Sequence, residues 1–260
     1  MNITSGIAEW LSKRRRNRPS PHSFLLEIDP LEELASRFAP AFADAAPFKH
    51  VVIDDFLPEP LARTLLRDFP GPEADIWLER NAVHQPGKLG IAHASRLRGL
   101  APSIHAVLCE FNAYPFVNFL SRLTGIGKLL PDPHLHGGGL HQILDGGHLD
   151  VHADVTHLRA LDLYRRVNVL YYLNADWKPE YGGCLEFWGA DRSTCVKSIA
   201  PQFNRLIVFN TDKHSYHGHP VPLQVPQGVT RKSLAFYYYT ALPAPDEEYT
   251  KGVEWLSGVS

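Results

Sequence analysis

The stretch GGHLDVHADVTH, residues 146–157, places a histidine or an aspartate at every second position of its centre. Successive side chains of a β-strand point to opposite faces, so residues two apart share a face. In a strand, four side chains that can ligate a metal would lie together: His148, Asp150, His152 and Asp154. One ion does not need four ligands from one strand, so the pattern predicts a metal-binding strand and leaves open which pair binds.

The residues on either side of this stretch differ in character. Residues 22–130 carry mainly helical patterns, for example from Ser103 to Gly127. From Gly138 onward, short segments rich in β-branched and aromatic residues alternate with glycine, proline or polar turns. The segments are LHQIL, HLDVHADV, RRVNVLYYLN, CLEFW, NRLIVFNT and RKSLAFYYYT. Such a series predicts an antiparallel jelly roll over about residues 131–242, behind a helical N-terminal layer.

Length and composition indicate one domain with a segment at each end. The chain has 260 residues, 44% of them hydrophobic, which is enough for one substantial core. We predict a single domain over residues 22–242, a flexible basic arm over 1–21 that includes KRRRNR at 13–18, and a C-terminal tail over 243–260. The net charge of -2 does not favour nucleic acid or a membrane surface as a partner.

Cysteine use and hydropathy bear on the location of the protein. Cys109, Cys184 and Cys195 have unrelated spacings, which fit neither a disulfide framework nor a zinc knuckle. Reduced thiols are typical of the cytoplasm. No apolar run is long enough to span a bilayer, and the polar N-terminal residues do not resemble a signal peptide. We therefore predict a cytoplasmic protein without a membrane span, and the sequence does not indicate its oligomeric state.

Histidine is the unusual residue of this chain, with 14 copies, and a second group of candidate ligands follows the first. The stretch NTDKHSYHGHPVPL, residues 210–223, contains His214, His217 and His219 in a strand-and-turn setting. An H-x-D pair on one strand and a histidine from elsewhere form a 2-His-1-carboxylate triad, the arrangement that non-haem Fe(II) oxygenases use. Such a triad leaves three coordination positions open.

The last strong predicted strand, TRKSLAFYYYT at residues 230–240, adds a candidate anion site. Arg231 and Ser233 lie two residues apart and so share one face of the strand. Arginine holds a carboxylate through two parallel hydrogen bonds, and a neighbouring hydroxyl can add a third. A metal triad followed by a carboxylate anchor suits a keto acid that chelates the metal at one end.

In this order and spacing, the motifs resemble those of the iron(II)/2-oxoglutarate-dependent oxygenases, in particular the prolyl 4-hydroxylase-like branch. The matching segments are HAD, RRVNVLYYLNADWKPEYGGCLEFW, NRLIVFNTDKHSYHGHP and TRKSLAFYYYT, within about Gly138 to Thr240. The resemblance implies a mainly β fold with α, in which a double-stranded β-helix (jelly-roll, cupin-like) core carries the helical N-terminal layer. It also implies Fe(II), 2-oxoglutarate and O2, with ascorbate as an optional addition, and hydroxylation of a C–H bond with release of succinate and CO2.

The resemblance also assigns the metal ligands. The family's H-x-D lies shortly before a strand that runs from an arginine to a tyrosine, and this spacing selects His152 and Asp154 over the earlier pair. In relatives the distal histidine precedes x-V and a proline-containing turn, which selects His217 and puts His219 at the valine position. His219 and, after a shift of three residues, His214 stay alternatives for the distal ligand.

For the cosubstrate, the resemblance assigns Arg231 as the anchor of the remote carboxylate, with Tyr172 and Ser233 as further contacts. Gln142 stands roughly where relatives often carry a tyrosine that binds the cosubstrate, so the family does not identify that contact here. Arg165 matches a basic residue on the substrate side in the prolyl hydroxylases, but a solvated charge on a loop is an equal interpretation.

The predicted function is that of a prolyl hydroxylase-like 2-oxoglutarate-dependent dioxygenase acting on a peptidyl residue or a small molecule. Two alternatives remain: a cupin-like metal enzyme that does not use 2-oxoglutarate, and a non-catalytic binding protein on the same fold. The first leaves Arg231 and Ser233 without a role, and the second needs no combination of triad and anchor. The motifs do not identify the substrate, because they lie on core strands rather than on the loops that select substrates.

Overall fold

The computed structural model describes residues 25–79, 83–91, 94–245, 250 and 252–256. The predicted basic arm at 1–21 lies outside the described residues. The helices are α1 (Ile28–Ala43), α2 (Glu59–Arg67), α3 (Leu97–Leu100), α4 (Pro102–Phe111) and α5 (Tyr114–Thr124), with 3-10 turns at Ala94–Arg96 and Pro179–Tyr181. None of these described helices is long and apolar enough to cross a membrane.

The strands lie mainly in the second half of the chain. In chain order they are β1 (His50–Ile53), β2 (Trp77–Glu79), β3 (Lys88–Ile91), β4 (Leu130–Pro131), β5 (Gly139–Ile143), β6 (Leu149–Ala153), β7 (His157–Leu158), β8 (Leu163–Tyr172), β9 (Leu185–Trp188), β10 (Cys195–Ile199), β11 (Arg205–Asn210), β12 (His217–His219), β13 (Arg231–Thr240) and β14 (Glu254–Trp255). Each of the six segments that the sequence predicts as strands contributes to one of them.

The strands form two antiparallel sheets. The major sheet has the order β1-β11-β8-β13-β5-β3-β2, with β4 against β13 and β7 against β8. The minor sheet has the order β10-β9-β12-β6-β14. The mainly β fold, with its double-stranded β-helix core and helical N-terminal layer, is confirmed.

The alternation of side chains along β8 separates the two faces of the major sheet. Val167, Val169 and Tyr171 face the helices and belong to the main hydrophobic core. Tyr172, the next residue, belongs to a second apolar cluster that includes Phe187 of the minor sheet. The major sheet therefore lies between the helical layer and the minor sheet, and Asn168, Leu170 and Tyr172 face the space between the sheets.

The helical layer breaks where the sequence predicts an interruption at proline. Helix α4 ends at Phe111, and α5 carries Pro115 in its first turn, where a missing N–H breaks no helical hydrogen bond. The Phe111 ring stacks on Phe236 of β13, with ring centroids 4.7 Å apart. The hydroxyl of Tyr238 donates a hydrogen bond of 2.6 Å to the Phe111 carbonyl. These contacts fix α4 against the centre of the major sheet.

The end of the chain, which the sequence predicts as a tail, adds a strand to the minor sheet. In β14, Glu254 pairs with Ala153 and Trp255 pairs with His152 of β6. The backbone N–H of Leu256 also donates to the Val151 carbonyl at 2.9 Å. Further along the same edge, the Asp150 N–H donates to the carbonyl of His84 at 2.9 Å. Two segments distant in sequence therefore cover the outer edge of β6.

Candidate metal centre and cosubstrate cavity

A cavity of about 210 Å³ lies between the two sheets, and strands of both sheets line it. Five of the residues that the sequence predicts for the site line this one cavity: His152, Asp154, His217, Arg231 and Ser233. Tyr172 is fully buried and is not among the lining residues. The fold therefore brings the candidate metal ligands and the candidate carboxylate anchor to the same space.

The three candidate ligands come from adjacent strands of the minor sheet. His152 lies on β6, Asp154 follows the end of that strand, and His217 begins β12. His152 and His217 are direct partners in the β6–β12 register, which places their imidazole centroids 4.6 Å apart. One ligand atom from each of the three residues lies within 4.8 Å of the other two. A single metal ion fits between atoms at this spacing.

Both imidazoles are oriented by a backbone carbonyl. Nδ1 of His152 lies 2.8 Å from the Asp150 carbonyl, and Nδ1 of His217 lies 2.9 Å from the Ser215 carbonyl. A carbonyl oxygen only accepts, so each Nδ1 carries the hydrogen, and in the neutral form of the ring Nε2 then has the free lone pair. Each Nε2 lies 3.7 Å from an oxygen of Asp154. The hydrogen bond between Nδ1 and a backbone carbonyl is a usual way in which proteins orient a histidine toward a metal.

The Asp154 carboxylate is held ionised by two residues of β8. Burial by itself would raise the pKa of Asp154, but the Arg165 guanidinium leads a set of contacts that hold the pKa well below its ordinary value. Nη1 of Arg165 lies 3.2 Å from Oδ2, and Nδ2 of Asn168 donates to the same oxygen at 2.6 Å. Both contacts use Oδ2, and Oδ1 lies toward His152. The carboxylate is thus fixed with Oδ1 facing His152 and Oδ2 facing His217.

His217 is neutral at physiological pH. Burial and, to a smaller extent, the adjacent His152 lower its pKa to about 4, although the Asp154 charge opposes this shift. A neutral imidazole is the form that binds metals. Two imidazoles and one carboxylate form the donor set of a facial triad, so the residues present fit a divalent iron site.

The earlier H-x-D pair has other partners. Oδ2 of Asp150 accepts a hydrogen bond of 2.8 Å from His84, and its Oδ1 lies 3.3 Å from Nε2 of His148. Across the described ranges, three candidate ligand atoms come within 4.8 Å of one another only at the later pair and His217. This geometry supports the later pair, although the metal assignment remains a prediction.

The two alternative distal histidines lie in different places. His214 is exposed in the turn before β12. His219 ends β12, is only 2% exposed and lines the cavity. Burial, together with the positive charge of Arg231, lowers the pKa of His219 well below its ordinary value. Neither histidine belongs to the group of converging ligand atoms.

Arg231 is prearranged by the protein at the start of β13. Its Nε donates to the Gly183 carbonyl at 2.7 Å, and Nη2 donates to the Tyr172 hydroxyl at 2.9 Å. Gly183 has a positive φ of 67°, and a Cβ there would lie 3.0 Å from Cδ of Arg231. The double-glycine turn therefore has a physical role, because it lets the backbone approach the guanidinium closely. Tyr172 contacts the anchor, and its predicted contact with the cosubstrate remains a prediction.

Strand β5 presents a different residue from the one that the family comparison singled out. Gln142 is fully buried outside the cavity lining, and its Oε1 accepts a hydrogen bond of 2.6 Å from Thr230. His141 lines the cavity instead and is the register partner of Ser233. Sequence reasoning missed His141, because alternation shows which residues share a face but not which face is inside.

Arg165 is not a solvated loop charge, so that interpretation is wrong. It lies on β8, its side chain is 10% exposed, and it pairs with Asp154. Its guanidinium carbon lies 3.9 Å from the centroid of the Tyr237 ring. The physical reason is its position inside a ten-residue strand beside a buried carboxylate. Its role on the substrate side remains a prediction.

Trp255 is a second residue of the cavity that the sequence did not reveal. Its ring centroid lies 4.8 Å from that of His152, and it stacks on His84 at 4.4 Å. It lines the cavity together with Val253. A strand of only two residues carries no periodic signal, so nothing in the local sequence placed it beside the metal ligands.

Comparison with known proteins agrees with this geometry. Residues 138–239 match the sequence model of the 2OG-Fe(II) oxygenase superfamily. No curated protein sequence matches the chain. Among solved structures, the chain is similar to a prolyl hydroxylase from Trichoplax adhaerens in complex with a hypoxia inducible factor oxygen degradation domain peptide fragment. The two share 21% identity over 81% of this chain and 90% of the other, with a TM-score of 0.58.

Two further structures have the same fold. A prolyl-4-hydroxylase from Pseudomonas putida shares 19% identity over 78% of this chain and 98% of its own, with a TM-score of 0.51. A prolyl 4-hydroxylase from Phytophthora capsici shares 20% identity over 85% of this chain and 68% of its own, with a TM-score of 0.53. The match to the 2OG-Fe(II) oxygenase superfamily thus covers residues 138–239, and the chain has the fold of these prolyl hydroxylases.

Proposed function

We propose that this 2-oxoglutarate-dependent dioxygenase holds Fe(II) with His152, Asp154 and His217 and hydroxylates a C–H bond of a peptidyl residue or a small molecule. The observation that carries the proposal is the convergence of three ligand atoms within 4.8 Å, in a cavity that also contains Arg231. This donor set suits a divalent transition metal and leaves three positions open.

Bound Fe(II), with 2-oxoglutarate and O2, supplies the oxidising power for the reaction, in which succinate and CO2 are released. The residues of the chain provide position and shielding. The carbonyls behind His152 and His217 fix both rings, so that their Nε2 atoms would hold the ion. Arg165 and Asn168 hold one oxygen of Asp154, so the carboxylate would be positioned before an ion binds.

The proposed anchor for the remote carboxylate of 2-oxoglutarate is Arg231, with Ser233 on the same face of β13. Hydrogen bonds to Gly183 and Tyr172 place the guanidinium before any ligand arrives, which reduces the entropy lost on binding. Apolar side chains, which would exclude water, also line this cavity: Leu170, Leu185 and Phe209.

Substrate class and location are further parts of the proposal. The Trichoplax relative was solved with a peptide fragment, so proline-containing peptides are the first class to test, followed by small molecules. The net charge of -2 gives no reason to test nucleic acid. The three cysteines, all in the described part of the chain, are unpaired, which supports a reducing compartment such as the cytoplasm.

The test is anaerobic addition of Fe(II) and then 2-oxoglutarate to the purified protein. We expect the charge-transfer absorbance of a chelated keto acid, followed by succinate release in air that rises when a panel of peptides and small molecules is supplied. His152→Ala should abolish both signals. His214→Ala, which changes an exposed histidine outside the cavity, should leave them unchanged.

The alternatives give other results. A wild-type protein that binds Fe(II) but gives no absorbance band with 2-oxoglutarate would favour the cupin-like enzyme. A protein that chelates 2-oxoglutarate but releases no succinate with any substrate of the panel would favour the binding protein.

A further inference from the structure

His219 is a buried polar side chain of the cavity that has no partner in the protein. Its exposed fraction is 2%, and neither Nδ1 nor Nε2 makes a hydrogen bond to any described residue. Buried polar groups in native proteins are almost always hydrogen-bonded, because burial without a partner is unfavourable. Two unsatisfied ring nitrogens that line a cavity therefore indicate a ligand that supplies the missing partner.

The backbone of β12 directs this ring into the cavity. His217 pairs with His152, whereas His219 pairs with Leu149, so the strand pair contains a bulge between them. Gly218 lies at the bulge, where a Cβ would come within 2.8 Å of the carbonyl oxygens of Leu149 and Asp150. The extra residue of the bulge lies on β6, so the alternation of side chains along β12 is kept. His217 and His219 are two residues apart, share one face of β12 and both line the cavity, although only His217 belongs to the ligand group.

The ring lies at the Arg231 end of the cavity. His219 also lines a small adjoining cavity together with Gly182 and Gly183, and the Gly183 carbonyl is the acceptor for Nε of Arg231. Among neighbouring charges, that of Arg231 acts most strongly on His219, ahead of Lys88. A ligand held by Arg231 is therefore close to the unsatisfied ring.

The hydrogen-bonding capacity of the anchor leaves room for a second contact. A guanidinium has five N–H groups, and Arg231 donates two of them to Gly183 and Tyr172. The other three are available to a ligand, and a carboxylate offers about four acceptor sites. Two parallel bonds from Arg231 therefore leave carboxylate lone pairs that another donor can use.

We propose that His219 is a second contact for the remote carboxylate of 2-oxoglutarate, with one ring N–H donating to a carboxylate oxygen beside Arg231. The inference rests on the proposed function, because it presumes that 2-oxoglutarate occupies this cavity. A valine, which the family resemblance puts at this position, cannot make such a bond.

The test measures the binding of keto acids to protein loaded with Ni(II), which does not turn over, by isothermal titration calorimetry. His219→Val should weaken 2-oxoglutarate binding about 10- to 100-fold, the loss expected for one hydrogen bond to a charged group. His219→Gln, which keeps a donor, should recover part of the affinity. His214→Val is the matched control and should bind as the wild type does.

A second keto acid locates the contact. The ligand 2-oxopentanoate has the same five-carbon chain but no remote carboxylate, so His219→Val should bind it as tightly as the wild type does. An equal loss for both keto acids would place His219 at the chelating end and overturn the proposal. Equal 2-oxoglutarate affinity of wild type and His219→Val would also overturn it.

Stability separates a binding role from a structural one. Replacing an unpartnered imidazole by an apolar side chain should leave the thermal midpoint of the ligand-free protein unchanged or higher. If His219→Val does not fold, His219→Ala takes its place in the comparison with His219→Gln. The alanine variant should then lose 2-oxoglutarate affinity and the glutamine variant should keep part of it. Wild-type affinity in a folded His219→Ala would overturn the proposal. A wild-type protein that fails to bind 2-oxoglutarate at all would instead reject the proposed function.

Discussion

Removing the anchor guanidinium by Arg231→Ala is the perturbation whose size can best be worked out from the structure. Arg231 is 5% exposed, so little water screens its interaction with a bound carboxylate. Truncating one member of a desolvated charge pair costs about 2–5 kcal/mol, which corresponds to a loss of 2-oxoglutarate affinity of about 30- to 5,000-fold. The geometry of the triad does not involve this side chain, so iron affinity should not change.

The variant also affects folding, and this effect must be separated from binding. The Gly183 carbonyl and the Tyr172 hydroxyl lose their bonds to the guanidinium, each worth about 1 kcal/mol. We therefore expect a lower thermal midpoint in a protein that still folds. Arg231→Lys should be intermediate in affinity, because it keeps the charge but loses the planar fork.

The assay is anaerobic titration of the iron-loaded protein with 2-oxoglutarate, followed by the charge-transfer absorbance. Arg205→Ala is the matched control, because Arg205 lies on β11 of the same sheet and pairs with Asp54 outside the cavity. It should lose some stability without losing cosubstrate affinity. A folded Arg231→Ala protein that binds 2-oxoglutarate as tightly as the wild type would refute the reasoning.

Three further predictions concern the metal, the double-glycine turn and acid stability. Iron titration should show that His152→Ala loses metal binding while His148→Ala keeps it; the opposite result would assign the earlier H-x-D pair. Gly183→Ala should weaken 2-oxoglutarate binding, because its Cβ would lie 2.5 Å from Leu223 and 3.0 Å from Arg231. Gly182→Ala should leave binding unchanged, because Gly182 has a similar φ of 68° but no neighbour closer than 3.7 Å to the added Cβ. Equal losses in the two glycine variants would mean that backbone strain alone is responsible. The pKa of His217 is 6.5 in the unfolded chain and about 4 in the folded one, so the unfolded chain binds the proton first as the pH falls. The metal-free protein should therefore lose up to about 3 kcal/mol of stability as the pH falls from 6.5 to about 4. Urea unfolding should show a shallower pH slope for His217→Gln; an unchanged slope would exclude His217 as the cause.

The fold could be predicted because its central strands have strong local patterns. RRVNVLYYLN and RKSLAFYYYT became β8 and β13, which pair along most of their length. Both are rich in β-branched and aromatic residues because they are buried between the helices and the minor sheet. The helical layer was predictable for the same reason, since its apolar periodicity reflects one buried face.

The details of the site depend on register, which local patterns do not contain. That His141 rather than Gln142 faces the cavity follows from the pairing of His141 with Ser233, and a shift of one residue would exchange the two. Arg165 has the composition of a surface residue, and only the nearby Asp154 makes its burial favourable. Such contacts between distant segments arise from tertiary packing and have no signal in either segment alone.

The two segments that cover β6 have a consequence for contacts between chains. An uncovered strand edge presents free N–H and C=O groups on which a strand from another molecule can assemble. In this protein β12 occupies one edge of β6, and β14 and the His84 carbonyl occupy the other. A chain shortened before Glu254 would open that edge next to His152, so self-association and loss of the metal would be expected from the same truncation. By pairing with β6, strand β14 thus keeps the edge beside the proposed iron ligand from pairing with another chain.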